Sequence, residues 1–171
     1  MKKYCFVLLF VLTISAGANA QTAWVTTKID NKISVKFPVE PQKINKPTGD
    51  VYVYKAPDSL TYSAAMLDMN IVAHLDSARI AQVKDMQQFA DQMVRGVASA
   101  KKNYTFGEVT IGQWKTYTCY NFSAKENTNS NTLLMQMILI GSKIYTLSCR
   151  VPAGMVTKNN DVFFSSIELS K

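Results

Sequence analysis

The most continuous apolar stretch of the mature-length chain covers residues 133–151 and predicts a β-hairpin. Two runs, 133–140 (Leu-Leu-Met-Gln-Met-Ile-Leu-Ile) and 143–151 (Lys-Ile-Tyr-Thr-Leu-Ser-Cys-Arg-Val), flank Gly141 and Ser142. A two-residue loop of this kind joins antiparallel strands. Closing the loop on those two residues fixes a register: Ile140 opposes Lys143, Leu139 opposes Ile144, Ile138 opposes Tyr145, Gln136 opposes Leu147 and Leu134 opposes Cys149. Successive side chains on a strand point to opposite faces. One face then carries Leu134, Ile138, Ile140, Tyr145, Leu147, Cys149 and Val151, and the other Leu133, Met135, Met137, Leu139 and Ile144. An antiparallel strand with one wet face has no need of two apolar faces. The pattern predicts a central strand covered on both sides; a β-sandwich core strand would also explain the run.

Period-two alternation predicts further strands over 32–37, 50–56, 60–69, 104–111 and 114–124, with Pro38, Pro41, Pro47 and Pro57 among the turn signals between the first three. Gly112 reads as the turn before the strand at 114–124, and residues 125–131 as an exposed polar loop. Residues 21–31 read as a lead-in, with Trp24 as a possible anchor. The period changes after residue 70. Ile80, Val83, Met86, Ala90, Met93, Val94 and Val97 recur at helical spacing, which predicts one long helix over 80–100 laying that stripe on a sheet face. Asp85 and Gln88 have the spacing of a capping box at which the helix restarts. A short last helix is expected over 162–167, capped by Asn160 or Asp161. The resulting class is α+β: an antiparallel sheet of about seven strands layered with helices.

The N-terminus changes the setting. Lys2 and Lys3, the apolar residues 5–14 and the small residues Ala18, Asn19 and Ala20 form an export leader over 1–20, leaving 21–171 as a single domain. The apolar core of the leader is too short for a membrane span, and no later stretch is long enough either. The expected product is exported, periplasmic or secreted, without a membrane span and away from nucleic acid. Loss of Lys2 and Lys3 with the leader lowers the formal net charge from +7 to +5. Lys28, Lys32, Lys36, Lys43 and Lys46 gather near the mature N-terminus and suit an anionic surface or acidic partner, or simply a solvated face.

Candidate chemistry is sparse. Cys119 and Cys149 remain after the leader, and an oxidising compartment favours pairing them. If the strands at 114–124, 133–140 and 143–151 form a meander, however, the outer two lie about 9.6 Å apart, two strand spacings. A disulfide needs Cα atoms within about 7 Å, so both are expected as buried free thiols. The sole histidine, His74, has Asp68 and Asp76 near it in sequence but no nucleophile context. One histidine and two separated cysteines match no zinc spacing, and the seven glycines form no phosphate loop. Met66, Met69, Met86, Met93, Met135 and Met137 fall where the periods predict core, although such residues also line adaptable apolar pockets.

Three segments together resemble a known family. They are Ile33, Ser34, Val35, Lys36, Phe37 and Pro38 with Pro41 behind them; the strand Ile144, Tyr145, Thr146 and Leu147; and the tail Phe163, Phe164, Ser165, Ser166, Ile167, Glu168 and Leu169. The arrangement is similar to the PsbP/Mog1-like superfamily, including its small exported bacterial members. The resemblance implies an antiparallel sheet layered between helices, an α/β/α sandwich, and proteins that act by docking on other proteins. It carries over no catalytic residues, and no cofactor is expected. The function expected is therefore that of an exported, non-catalytic module binding a protein or a cell-envelope component, as a monomer or weak dimer. The alternative is a carrier of a small apolar ligand held between sheet and helix. Candidate contact residues are Lys28, Lys43, Lys46 and Lys125, followed by an aromatic face around Trp114 and Tyr120.

Overall fold

Strand β1 (Val25–Lys28) turns at Asp30 into β2 (Ile33–Phe37), and the two pair antiparallel. The Asp30 side chain makes the turn, its Oδ1 accepting from the backbone N–H groups of Lys32 and Ile33 at 2.8 and 3.0 Å. In this computed structural model, which describes residues 24–170, the chain then continues through β3 (Gln42–Ile44), β4 (Val51–Lys55) and β5 (Thr61–Asp68). A helical stretch follows, made of α1 (Met69–Ala73), α2 (Ser77–Val83) and α3 (Gln87–Ala100). Next come β6 (Tyr104–Phe106), β7 (Thr110–Trp114), β8 (Tyr117–Glu126), β9 (Thr132–Ile140) and β10 (Lys143–Val151), then α4 (Asn159–Ser165) and β11 (Glu168–Leu169). The leader expected over 1–20 lies outside the described residues.

Eight strands form one antiparallel sheet in the order β3-β4-β5-β10-β9-β8-β6, with β7 also paired to β8. The β9–β10 register is the one expected, Ile140 opposite Lys143 through Leu134 opposite Cys149. Gly141 turns that hairpin at φ +64°. The strand β9 is flanked by β8 and β10 and buried on both sides over residues 137–140, while Leu134 and Gln136 on the reverse face are half-buried. Facing α2 and α3, Leu133, Met135, Met137, Leu139 and Ile144 pack with Tyr120, Phe122, Ile80, Phe89, Ala90 and Val94. On the reverse face Ile138, Ile140, Tyr145, Leu147 and Cys149 pack with Ile33, Val35, Phe37, Tyr62, Phe163 and Ile167. The α+β class and the two-sided sheet are thus as the pattern implied. The second covering layer combines α4 with a three-stranded sheet of order β1-β2-β11.

Several boundaries differ from the sequence reading. The lead-in contains β1, and β3 follows Pro41; both are too short to show a period. The stripe over 80–100 is two helices, because residues 84–86 are held open by β8. The Tyr120 hydroxyl donates to the Lys84 carbonyl, and the Thr118 hydroxyl donates to Asp85 Oδ1 at 2.8 Å. The N-cap of α3 is Met86, without a side-chain cap, so the Asp85–Gln88 capping box does not form. Met86 sits at this break and is 54% exposed, leaving the buried stripe, while Phe89 enters it at 7%. The last helix begins earlier than expected and is preceded by Lys158, not by Asn160 or Asp161.

The stretch 104–114 forms two strands that share β8 as partner: β6 pairs with residues 124–126, β7 with 117–121. Gly112 lies inside β7, and the turn falls at Lys115 and Thr116, with Lys115 at φ +56°. Trp114 and Tyr117, opposite one another across that turn, stack at 6.1 Å. Burying two rings across a hairpin stabilises the turn there despite the strain of a non-glycine residue at positive φ.

Candidate functional site

Three of the polar clusters among the described residues tie distant elements together through a carboxylate. At the first, Asp30 Oδ2 accepts from Lys143 Nζ at 2.8 Å and from the Tyr145 hydroxyl at 2.7 Å. With its two backbone bonds, this one carboxylate clamps the β1–β2 hairpin onto β10. Burial disfavours its charged form, but the bonds from Lys143, Tyr145 and the two amides outweigh that and hold its pKa below the usual carboxylate range. Burial and the Asp30 charge push the Tyr145 hydroxyl well above its ordinary value. In the second cluster Glu126 accepts from Asn131 and from Arg150 at 2.7 Å, which lowers its pKa, Asn131 contributing most. Asn131 Oδ1 also accepts from the Ala153 N–H at 3.0 Å. The loop between β8 and β9, read as wholly exposed, is therefore anchored at both ends by buried Glu126 and Asn131. The third cluster is the Lys84–Asp85–Thr118 network at the helix break.

The sole histidine and the two cysteines lie in opposite settings, the one exposed and the others buried. His74 is exposed at the C-cap of α1 in a left-handed conformation, φ +54°. Cys119 and Cys149 are free thiols, 1% and 0% exposed. Burial raises their pKa values to about 11 and about 12 respectively. A thiol that far above neutrality holds its proton and is a poor nucleophile.

The candidate contact residues do not form one patch. Lys28 is exposed on β1, opposite Ser34. Lys43 and Lys46 are exposed on and just after β3, at one edge of the large sheet. Lys43 is 2.6 Å from the Asp50 carboxylate and 5.9 Å above the Tyr52 ring, and the Asp50 bond raises its pKa. Lys125 is exposed on β8, between Thr132 of β9 and Thr105 of β6. From β3 to β8 is five strand steps in the order of the sheet, about 24 Å at the usual spacing. A single small ligand cannot touch both ends; an extended partner can.

Trp114 and Tyr120, expected on one aromatic face, lie on opposite sides of the sheet. Tyr120 is fully buried on the helix side of β8. Trp114 lies on β7 and packs on the other side of the sheet, half-buried, with Lys115 Nζ 4.8 Å over its ring. Counting Trp114 and Tyr120 along one strand put them on one face; the turn at 115–116 reverses the chain between them.

The methionines do not line a cavity together. Met69, Met135 and Met137 are buried in the helix-side core, Met66 packs on the opposite core and Met86 is exposed. A groove of about 410 Å³ does exist, on the strand face opposite the helices and beside α4. Its lining mixes polar residues, among them Glu108, Asn121, Ser123 and Gln136, with apolar Phe122, Leu134, Met135 and Phe164. No sequence period marked it, because Asn121, Ser123 and Gln136 occupy positions that continue an apolar face into solvent.

Comparison with known proteins places this architecture. The chain has a PsbP-like fold. It is similar to the solution structure of cyanobacterial PsbP (CyanoP) from Synechocystis sp. PCC 6803, with a TM-score of 0.59 over 91% of this chain and 97% of that one at 10% identity. A crystal structure from Bacteroides thetaiotaomicron VPI-5482 aligns with a TM-score of 0.47 at 15% identity, over 81% of this chain and 45% of that one. No family model matches the sequence, and no curated protein matches it.

Proposed function

We propose that the protein is an exported, non-catalytic module that binds a protein or cell-envelope component through its surface. The observation that carries this reading is the fate of its reactive groups. The two thiols are sealed in the core and protonated, and the half-buried Asp30 and buried Glu126 carboxylates are committed to clamps that hold strands together. What remains for recognition is the periphery of a rigid sheet, where binding residues are commonly carried. The PsbP-like fold supports the same reading by analogy of architecture.

The contact surface we assign is the lysine-bearing segment of β1 to β3, with Lys28, Lys43 and Lys46, together with the Lys125 end of β8. Its cationic side chains suit an anionic partner long enough to reach across the sheet. An apolar carrier role finds less support: the space between sheet and helices is filled by Phe89, Ala90, Val94, Met135 and Met137. Affinity purification of the tagged chain from native envelopes, with mass spectrometry of proteins and extracted lipids, tests the proposal. A recurrent partner, lost when Lys43, Lys46 and Lys125 are all changed to Glu, is the expected result. Turnover that survives repurification and disappears in His74→Ala would overturn it.

A further inference from the structure

We propose that β7 is a docking edge for a second copy of this chain, the two β7 strands pairing antiparallel across a two-fold axis. The large sheet ends in two edges of opposite character. At one end β3 is three residues long, carries Lys43 and lies between Pro41 and Pro47. Short length, lysine and proline are the usual devices that prevent strand-to-strand association. At the other end β6 and β7 share the edge beside β8, and β7 reads Thr-Ile-Gly-Gln-Trp, five residues with no charge and no proline. Its strand partner among the described residues is β8 alone. Alternate N–H and C=O groups of β7 therefore point outward, as on any edge strand.

Gly112, the middle residue of β7, is not required by the fold of its own chain. Its φ is outside the left-handed region, and a Cβ built there meets Asn121 Nδ2 at 3.7 Å and the Cys119 carbonyl oxygen at 3.9 Å, ordinary contacts. Glycine inside a strand weakens it and marks close approach by something else. A second copy meets that description. Antiparallel edges joined with their sheet faces matched are related by a two-fold axis normal to the sheet, so one residue must oppose itself. All five residues overlap only when that residue is Gly112. Thr110 then opposes Trp114 of the second copy, and each indole lies diagonal to the other copy's glycine, which leaves it room. Just beyond the strand ends, Glu108 of each copy adjoins Lys115 of the other, giving opposite charges at both corners.

Sedimentation of the purified chain tests this. The wild type is expected to run at twice the monomer mass at high concentration. Gly112→Lys, which sets two ammonium groups face to face on the axis, is expected to run as a folded monomer. Under mild oxidation Gly112→Cys is expected to form a covalent dimer, because opposed Cβ atoms stand about 4.5–5.5 Å apart, close to disulfide reach. Thr110→Cys, displaced from the axis, is not. A wild type that stays monomeric at every concentration overturns the proposal, and is the result expected if the edge takes a strand from another protein. A dimer that persists in folded Gly112→Lys overturns it as well. Should Gly112→Lys fail to fold, the two cysteine variants decide: equal cross-linking in both, or none in either, refutes the Gly112 axis.

Discussion

The Asp30 clamp makes the sharpest stability prediction. Asp30→Asn keeps one oxygen for the amides of Lys32 and Ile33 but replaces the charged oxygen that Lys143 and Tyr145 share. Lys143 is 24% exposed at its side chain and can recover solvent, whereas Asp30 is 13% exposed. Hydrogen bonds to charged groups contribute about 1.5–3 kcal/mol each, and partial resolvation of Lys143 puts the net loss at about 2 kcal/mol. For a chain of this size that corresponds to a drop in Tm of about 4–8 °C. The pH dependence carries an independent sign. Because the folded pKa of Asp30 lies below its ordinary value, its contribution is fully present above the unfolded pKa of about 3.9 and fades as pH falls through the folded value. Urea titrations at pH 7 and at stepwise lower pH, on wild type and variant, provide the assay. The two curves should be separated near neutrality and converge below about pH 4. A separation under about 0.5 kcal/mol at pH 7, within the range of ordinary surface substitutions, refutes the clamp; an undiminished separation in strong acid refutes its ionic origin.

Other consequences can be checked with equally simple measurements. Phe163→Ala removes a fully buried ring that contacts Phe37, Tyr62 and Phe164 at centroid distances of 5.2–5.7 Å and should cost about 3–5 kcal/mol, read as a lower urea midpoint. Met86→Lys, which breaks the helical stripe on paper, should leave the midpoint within about 0.5 kcal/mol of wild type because that side chain faces solvent. With thiol pKa values raised to about 11 and about 12, Cys119 and Cys149 should resist a thiol reagent at pH 8 and both react once the chain is unfolded. Prompt modification of either in the native protein would contradict their burial.

The β9–β10 hairpin was legible in sequence because two apolar runs met at a glycine-containing two-residue loop, which fixes one register. The expectation of free thiols followed from the same meander, since β9 does lie between β8 and β10. Legibility ended where tertiary contacts decide local structure. A restart near Asp85 was legible but its cause was not: Thr118 and Tyr120, over thirty residues away, take the polar groups of Asp85 and Lys84, and the capping box does not form. The β7–β8 turn was hidden because Lys115 carries no turn signal; the stacking of Trp114 on Tyr117 places it. The exposure of Lys28, Lys43, Lys46 and Lys125 was legible residue by residue, but their placement was not: Lys43 and Lys125 are near opposite edges of one sheet, and only the strand order reveals it. The short strands β1, β3 and β11 depend on pairing partners and carry too few residues to show a period.

The central claim is that the protein works by binding through its lysine-bearing periphery, and lysine-directed cross-linking of the native chain in intact envelopes tests it most directly. Lys43, Lys46 and Lys125 should each cross-link to the same partner, while Lys158, exposed at the start of α4, should not. Cross-links confined to Lys158, or none above those of the Lys43, Lys46 and Lys125 triple glutamate variant, would contradict the account.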